Sequence, residues 1–177
     1  ARQIYQHIVD ICPEEYTHKL CIGGQMYTNI VEENKEISRT HIIVGTMGKI
    51  HDLTTKMFRS KHIINPKKLS AIAIDEFDVI MSNNRNNKNM ITGEKSTSEQ
   101  LETIIASLNP ELTMRVFFSA TITEPTKIMA YKYFRNYSHD VGEPLLCFLE
   151  ETNQTLCGIK QYYVNLDDND YRMKMEV

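Results

Sequence analysis

The stretch from Leu69 to Asp78 constrains this chain most, because an apolar run ends there abruptly at two carboxylates. The run has no helical period, which is typical of a strand buried on both faces of a parallel sheet. Ligands of open α/β sheets bind beyond the carboxyl ends of the strands. Asp75 and Glu76 lie at that position, and two such acids can hold a hydrated Mg²⁺ and orient a water. An acidic pair can also simply end a strand and begin a turn.

Strand and helix patterns alternate along the rest of the chain. Short apolar runs predict further strands at 19–22, 41–44, 114–118 and 145–149, and an extended segment at 159–164. Helical spacing and capping residues predict helices at 2–12, 26–37, about 48–58, 96–108 and 123–135. This order predicts an α/β fold with a parallel sheet and right-handed crossovers.

Composition sets limits on the class of protein. The 177 residues suit one domain, or one domain with part of a second. No apolar run approaches the roughly 20 residues needed to cross a membrane, so we expect no membrane insertion. A net charge of −3 argues against a chain coated in basic charge but allows a local basic patch. The four cysteines lack metal-ligand spacing, which favours reduced thiols of an intracellular protein over a zinc site.

Short polar or glycine-rich segments follow the predicted strands, at what must be one edge of the sheet. In chain order they are Ala1 to Gln3, Gly23-Gly24, Thr46 to Lys49, Asp75 to Asp78 and Ser119 to Thr121. Together they resemble the motifs of a DEAD-box ATP-dependent RNA helicase. The resemblance covers nearly the whole chain and rests on five elements in the right order, each at a strand end or a helix start.

The resemblance implies a three-layer RecA-like fold of the P-loop nucleotidase type, with helices on both faces of a parallel sheet. It implies that residues 1–155 form part of the first RecA-like domain and that 156–177 form the linker and the start of a second. The implied cofactors are ATP and Mg²⁺, with Asp75 binding the metal through water and Glu76 positioning the attacking water. Asp78 would accept hydrogen bonds from Ser119 or Thr121.

The same resemblance implies that single-stranded or short duplex RNA contacts Thr46, Gly48, Lys49, Gly23 and Gly24. Glycines let a backbone approach a phosphate, and a loop that enters a helix offers free N–H groups to an anion. Such contacts read the nucleic-acid backbone and not its sequence. An ordinary turn is the alternative for Gly23-Gly24.

Several positions depart from the family pattern. Phe77 stands where alanine is usual, which predicts a bulky ring beside the two acids. Met47 and Lys49 replace proline and arginine, and lysine lacks the planar fork that grips phosphate bidentately. The sequence contains no Gly-x-x-x-x-Gly-Lys-Ser/Thr. We therefore expect the phosphate-binding loop and its strand upstream of Ala1, and a fold that is incomplete at the N-terminus.

The subfamily is open between two alternatives. The segment Gly158 to Tyr163 looks most like the linker of mRNA-export helicases, which work at the cytoplasmic face of the nuclear pore. Translation helicases of the initiation factor four A type have a similar linker and are the nearest alternative. The two subfamilies imply a location in the cytoplasm or the nucleus, including the nuclear pore. They also imply an activator that is a nuclear-pore protein or a translation factor. Two further hypotheses are a catalytically silent RecA-like module that binds RNA or a partner, and a DNA helicase of the same superfamily.

Overall fold

The computed structural model describes residues 1–24, 30–58, 61–82, 95–135 and 144–147, together with Lys160 and Tyr162. Internal contacts divide the chain into two units, 1–144 and 145–177, and every element below lies in the first. The predicted domain boundary at residue 155 stays a prediction. No helix within the described ranges combines the length and the apolar character that crossing a membrane requires.

The described elements alternate as the sequence predicts, and the fold is of the α/β class. The helices are α1 (Arg2–Ile11), α2 (Ile30–Ile37), α3 (Met47–Thr55), α4 (Phe77–Ser82), α5 (Thr97–Ser107) and α6 (Glu124–Arg135). The strands are β1 (His18–Cys21), β2 (Ile42–Gly45), β3 (Met57–Phe58), β4 (Lys61–His62), β5 (Ala71–Ile74) and β6 (Met114–Phe117). A 3₁₀ turn at Pro66–Lys68 precedes β5.

Within the described ranges, the parallel strands pair two by two and do not form the single continuous sheet that the alternation predicts. β1 pairs with β2, β5 pairs with β6, and both pairs are parallel. β3 and β4 form a small antiparallel hairpin. Among the residues that the structure describes, side-chain packing joins the two parallel pairs: Leu69 packs against the cores on both sides.

The prediction that β5 is buried on both faces is wrong for the part of the chain that the structure describes. Ala71 and Ala73 are exposed, whereas Ile72 is half-buried and Ile74 is buried. Met114, opposite Ala71 in the register, is 62% exposed. Successive strand residues point to opposite faces, so only the isoleucine face of β5 has helices packed on it in the described ranges.

Two apolar clusters form the core. The larger one consists of Ile74, Phe77, Leu101, Ile105, Leu108 and Tyr133, and the smaller one of Cys21, Ile37, Leu53 and Ile64. α5 contributes most to the larger cluster, and it starts at the predicted capping box. The Ser96 side chain accepts from the Glu99 N–H, and the Glu99 carboxylate accepts from the Ser96 N–H. This reciprocal pair fixes where the core helix begins.

Helix α3 is shorter than predicted. It ends at Thr55 and not near residue 58, because Lys56 is extended and Met57–Phe58 enters the hairpin. The hydroxyls of Thr54 and Thr55 donate to the carbonyls of Ile50 and His51, one turn earlier. Such bonds compete with the backbone ladder, and threonines disfavour helix interiors. Met57, assigned to the helix by its spacing, is 65% exposed.

At the C-terminal end, the structure describes only part of the predicted elements. Residues 145–147 of the predicted strand 145–149 lie in no strand, and Leu145 is 89% exposed. Residues 148 and 149 and most of the extended segment 159–164 lie outside the described residues. At the N-terminus, α1 ends before Pro13 as predicted, but its apolar stripe buries no residue.

Candidate functional site

Pairing of β5 with β6 brings two of the sequence motifs together. Ile74 lies opposite Phe117 in the parallel register. Beyond these residues, the Phe118 N–H donates to the Ile74 carbonyl at 2.8 Å, and the Phe77 N–H donates to the Phe118 carbonyl at 2.9 Å. The segments that follow, 75–78 and 119–121, therefore leave the same edge of the ladder side by side.

Asp75 is the first residue beyond β5, and its side chain is exposed. Its Oδ1 accepts a hydrogen bond from the Glu76 N–H at 3.0 Å. The described ranges contain no cluster of three or more potential metal ligands. Mg²⁺ at nucleotide sites typically keeps several waters and takes one or two carboxylates besides the substrate phosphates. A single exposed carboxylate at a strand end fits that mode of binding.

Glu76 adopts a backbone conformation that few residues other than glycine adopt. Its φ is +53°, the one positive value at a non-glycine residue in the described part of the chain. Such a conformation costs on the order of 1–3 kcal/mol and persists only where the surrounding structure determines it. Here Asp75 accepts the Glu76 N–H, and the Glu76 carbonyl accepts from the Ile80 N–H at 3.2 Å. The Glu76 side chain is exposed at the turn into α4.

Asp78 connects this turn to the segment after β6. Its Oδ2 accepts a hydrogen bond from the Thr121 hydroxyl. The Thr121 hydroxyl, and after it that of Ser119, holds the pKa of the Asp78 carboxyl below its usual range. Ser119 also donates to the Thr121 carbonyl at 2.8 Å, which fixes the shape of the segment. The structure therefore contains the hydrogen bond expected between Asp78 and this segment.

Phe77 lies in the core, so the prediction of a bulky ring beside the two acids is wrong. Its side chain is 2% exposed. The ring stacks on Phe117 with a centroid distance of 4.7 Å and an interplanar angle of 12°. Side chains of neighbouring residues at the start of a helix point in different directions. Phe77 therefore faces the core while Asp75 and Glu76 face solvent.

The other candidate residues lie at the ends of β1 and β2. Gly23 and Gly24 form the turn after β1, and Gly24 has a φ of +76° that favours glycine. Thr46 precedes α3, and Gly48 and Lys49 are in its first turn. The Thr46 N–H donates to the Cys21 carbonyl at 3.2 Å, so the two loops are neighbours. Met47 packs on the larger core cluster, which also holds Phe77.

Gly45 is a residue that the sequence analysis missed. A Cβ atom at this position would lie 2.5 Å from the Cys21 carbonyl oxygen and 2.6 Å from Ile50 Cδ1. Real Cβ atoms do not approach other atoms so closely, so any side chain here would push β1 and β2 apart. A glycine as the last residue of a strand was the available signal, since it suggests close approach of another backbone.

Comparison with known proteins agrees with this arrangement of motifs. Residues 1–128 match the family model of the DEAD/DEAH box helicases. The chain belongs to this family. The matched region includes both loops at β1 and β2, the turn after β5 and the segment after β6.

Relatives of this DEAD/DEAH box chain carry helicase names. A protein of Acanthamoeba polyphaga mimivirus named as an ATP-dependent RNA helicase is 32% identical, over all of this chain and 38% of its own length. ATP-dependent RNA helicase eIF4A of Saccharomyces cerevisiae is 29% identical, over 86% of this chain and 31% of its own length. The chain thus spans about a third of the length of these relatives.

Solved structures show the same fold at lower identity. Dbp5 of S. cerevisiae, in a complex with Gle1 and IP6, matches with a TM-score of 0.55 and 21% identity, over 77% of this chain and 30% of its own. A DEAD box protein from the hyperthermophile Methanococcus jannaschii matches with a TM-score of 0.54 and 22% identity, over 78% of this chain and 34% of its own. The fold is therefore that of the RecA-like domains of DEAD-box proteins.

The bond between Thr121 and Asp78 predicts a pH-dependent loss of stability in Thr121→Val. Because this bond lowers the pKa of folded Asp78, its contribution is full above the unfolded value of about 3.9. It is lost as the pH falls through the lower pKa of the folded state. Urea unfolding should show the variant less stable by about 1 kcal/mol at pH 7, and the gap should narrow below about pH 4.

Ser82→Ala provides the matched control for this experiment. Ser82 lies on α4, as Asp78 does, but its hydroxyl donates to the uncharged carbonyl of Val79. Its effect on the free energy of unfolding should therefore not depend on pH. A gap between wild type and Thr121→Val that stays constant down to pH 2 would contradict the assignment.

Proposed function

We propose that the full-length protein is an ATP-dependent RNA helicase that hydrolyses ATP to release RNA or unwind it locally. The observation that carries the proposal is the exposed Asp75-Glu76 pair at the end of β5, joined to the segment after β6 through Asp78 and Thr121. Membership of the DEAD/DEAH box family supports it. The activity is assigned to the whole protein, because this chain spans only about a third of its relatives.

In the proposed reaction, Asp75 and Glu76 have different roles. Mg²⁺, when bound with ATP, supplies positive charge that neutralises the phosphates. Asp75 would hold the ion through water. Glu76 would orient the attacking water and accept its proton, because phosphoryl transfer depends on positioning and charge stabilisation more than on covalent catalysis. The left-handed backbone at Glu76 presents its carboxylate to solvent at the strand end, where the phosphates would lie.

Asp78, Ser119 and Thr121 would connect the nucleotide to the rest of the domain. Asp78 is two residues after Glu76 and bonds Thr121, so a shift of the turn moves the segment after β6. We propose that this contact couples the nucleotide state to the grip on RNA. The Thr121 hydroxyl is uncharged, so its contact with Asp78 leaves the net charge next to the phosphates unchanged. An ion pair with Asp78 in its place would add charge there.

RNA would lie across the loops after β1 and β2. Gly23 and Gly24 let the backbone approach a phosphate, Thr46 and Gly48 lie where helix α3 begins, and Lys49 supplies charge. Helix N-termini favour anions because their first N–H groups lack intrahelical partners. Contacts of this kind bind phosphates of any sequence, so single-stranded or short duplex RNA is the proposed substrate.

For the subfamily we propose the mRNA-export type, supported by the linker-like sequence Gly158 to Tyr163. An activator at the nuclear pore is the corresponding partner. A tagged full-length protein would then concentrate at the nuclear rim. An even cytoplasmic distribution would instead favour the initiation-factor type, whose yeast member is among the relatives.

Glu76→Gln tests the catalytic assignment. Loss of a general base typically costs 10²–10⁴ in rate, so RNA-stimulated ATP turnover by the full-length protein should fall by about 100-fold or more. Binding of ATP should persist, because glutamine keeps the size of the side chain. Glu111→Gln, an exposed glutamate far along the chain from the turn, is the control and should turn over ATP like the wild type. Equal turnover by wild type and Glu76→Gln would contradict the mechanism, and a wild type that binds RNA without any turnover would favour a silent scaffold.

Lys49→Met tests the RNA surface. Each phosphate contact contributes about one unit to the dependence of log K on log salt, so the variant should bind RNA more weakly and with a slope smaller by about 0.7–1. Lys56→Met is the matched control, since Lys56 follows the other end of α3 and pairs with Asp52 at 2.9 Å. Fluorescence anisotropy with a labelled oligonucleotide at several salt concentrations measures both. An equal effect of the two substitutions would count against a specific role for Lys49.

A further inference from the structure

We infer that Gln100 recognises RNA by its ribose: the side-chain oxygen accepts a hydrogen bond from a 2′-hydroxyl at the start of α3. The inference rests on the proposed function and names a residue that separates RNA from DNA. The contacts proposed for the two loops bind phosphates, which both nucleic acids carry. The 2′-hydroxyl is the backbone group that lets a protein distinguish the two. Selection of RNA therefore needs a further group close to the phosphate-binding loops.

Gln100 lies near the N-terminus of α5, beside the start of α3. A Cβ atom added at Gly48 would lie 3.7 Å from Gln100 Oε1, which is an ordinary van der Waals distance. Gly48 is exposed and Gln100 is half-buried. The amide oxygen of Gln100 therefore borders the open space next to Gly48, where the proposed path of the RNA backbone runs.

The orientation of the Gln100 amide follows from its hydrogen bonds. Its Nε2 donates to the Lys95 carbonyl at 3.1 Å. A carbonyl can only accept, so the amide nitrogen must face Lys95, and the oxygen is the atom that faces Gly48. Within the described ranges this oxygen accepts no hydrogen bond. It is also absent from the buried polar atoms that lack a partner there, so it reaches solvent.

An accepting oxygen at this place selects the chemistry of its partner. Phosphate oxygens also only accept, so they cannot form a hydrogen bond with Oε1 of Gln100. Along the backbone of a nucleic acid, the 2′-hydroxyl of ribose is the group that can donate, and DNA lacks it. The amide is uncharged and adds nothing to the general attraction for phosphates. Gln100 would therefore favour RNA without tightening the binding of DNA.

Packing of α3 on α5 keeps Gln100 beside Gly48. Met47 precedes Gly48 and packs on the larger core cluster, to which Leu101 belongs. Leu101 follows Gln100 and is fully buried. The Gln100 N–H donates to the Ser96 carbonyl at 2.9 Å, in the turn whose start the capping box fixes. The oxygen is thus held in place before RNA binds, which lowers the entropic cost of the contact.

The test measures Kd by fluorescence anisotropy with the full-length protein, saturated with a non-hydrolysable ATP analogue. The probes are labelled oligouridines of equal length whose sugars are ribose, deoxyribose or 2′-fluororibose. The 2′-fluoro sugar keeps the pucker of ribose but cannot donate a hydrogen bond. The wild type should bind the ribose probe at least about fivefold more tightly than the other two, which is the size expected of one neutral hydrogen bond.

Gln100→Met should weaken binding of the ribose probe about fivefold and keep Kd for the other two probes within about twofold. Methionine has a similar length but no amide oxygen. The salt dependence should keep its slope, because no charge is removed. Gln100→Asn withdraws the oxygen by one methylene and should give the same pattern, which provides a second variant if Gln100→Met does not fold.

Ser107→Ala is the matched control. Ser107 lies about two turns further along α5, and its hydroxyl donates to the Ile104 carbonyl at 2.6 Å. This variant should keep the wild-type preference for the ribose probe. Oligoadenosine probes with the same three sugars should repeat the pattern, because a contact with ribose does not depend on the base.

Three results would overturn the inference. They are a wild type that binds the three probes equally, a Gln100→Met that loses affinity for all three alike, as a role in packing alone predicts, and a loss confined to one base. Lys49→Met is measured in parallel. If it weakens binding of all three probes while Gln100→Met changes none, only the ribose contact fails. If the wild type binds none of the probes, the proposed function and the inference fail together.

Discussion

Parallel hydrogen bonding between β5 and β6 is the interaction on which the candidate site depends. It sets Ile74 opposite Phe117 and extends beyond both strands through the amide of Phe77. Asp78 and Thr121 are 43 residues apart in the sequence, and this ladder brings them within hydrogen-bonding reach. α5 packs on the isoleucine face of β5, so the same helix supports the strand and the turn that follows it.

Much of this arrangement could be predicted from the sequence. Strand ends in a parallel α/β fold meet at one edge, so polar motifs that follow apolar runs can be assigned to that edge without coordinates. The capping box at Ser96 and the place of Thr46 before a helix followed from local chemistry. The hydrogen bond of Asp78 with Thr121 followed from the resemblance to the helicase family. The roles of these residues with ATP and RNA stay predictions.

The features that could not be predicted depend on tertiary packing. The sequence predicts Phe77 beside the acids because it is their neighbour along the chain, yet its ring stacks on Phe117, whose proximity no local pattern reveals. The positive φ of Glu76 is likewise imposed by contacts on both sides of the turn. The exposed alanines of β5 have the same origin, since coverage by helices decides which face of the strand is buried.

Gly45 has a consequence for how the two loops proposed to contact RNA can evolve. The carbonyl of Cys21 and the side chain of Ile50 occupy the space that a side chain at Gly45 would need, so the absence of a side chain at Gly45 permits the present separation between the loop after β1 and the loop after β2. Substitutions within either loop can alter charge and shape while that separation is preserved. Phosphates recur at a nearly constant interval along a nucleic-acid strand. The close contact between Gly45 and the Cys21 carbonyl would therefore keep the spacing of the two loops matched to that interval, whichever side chains the loops carry.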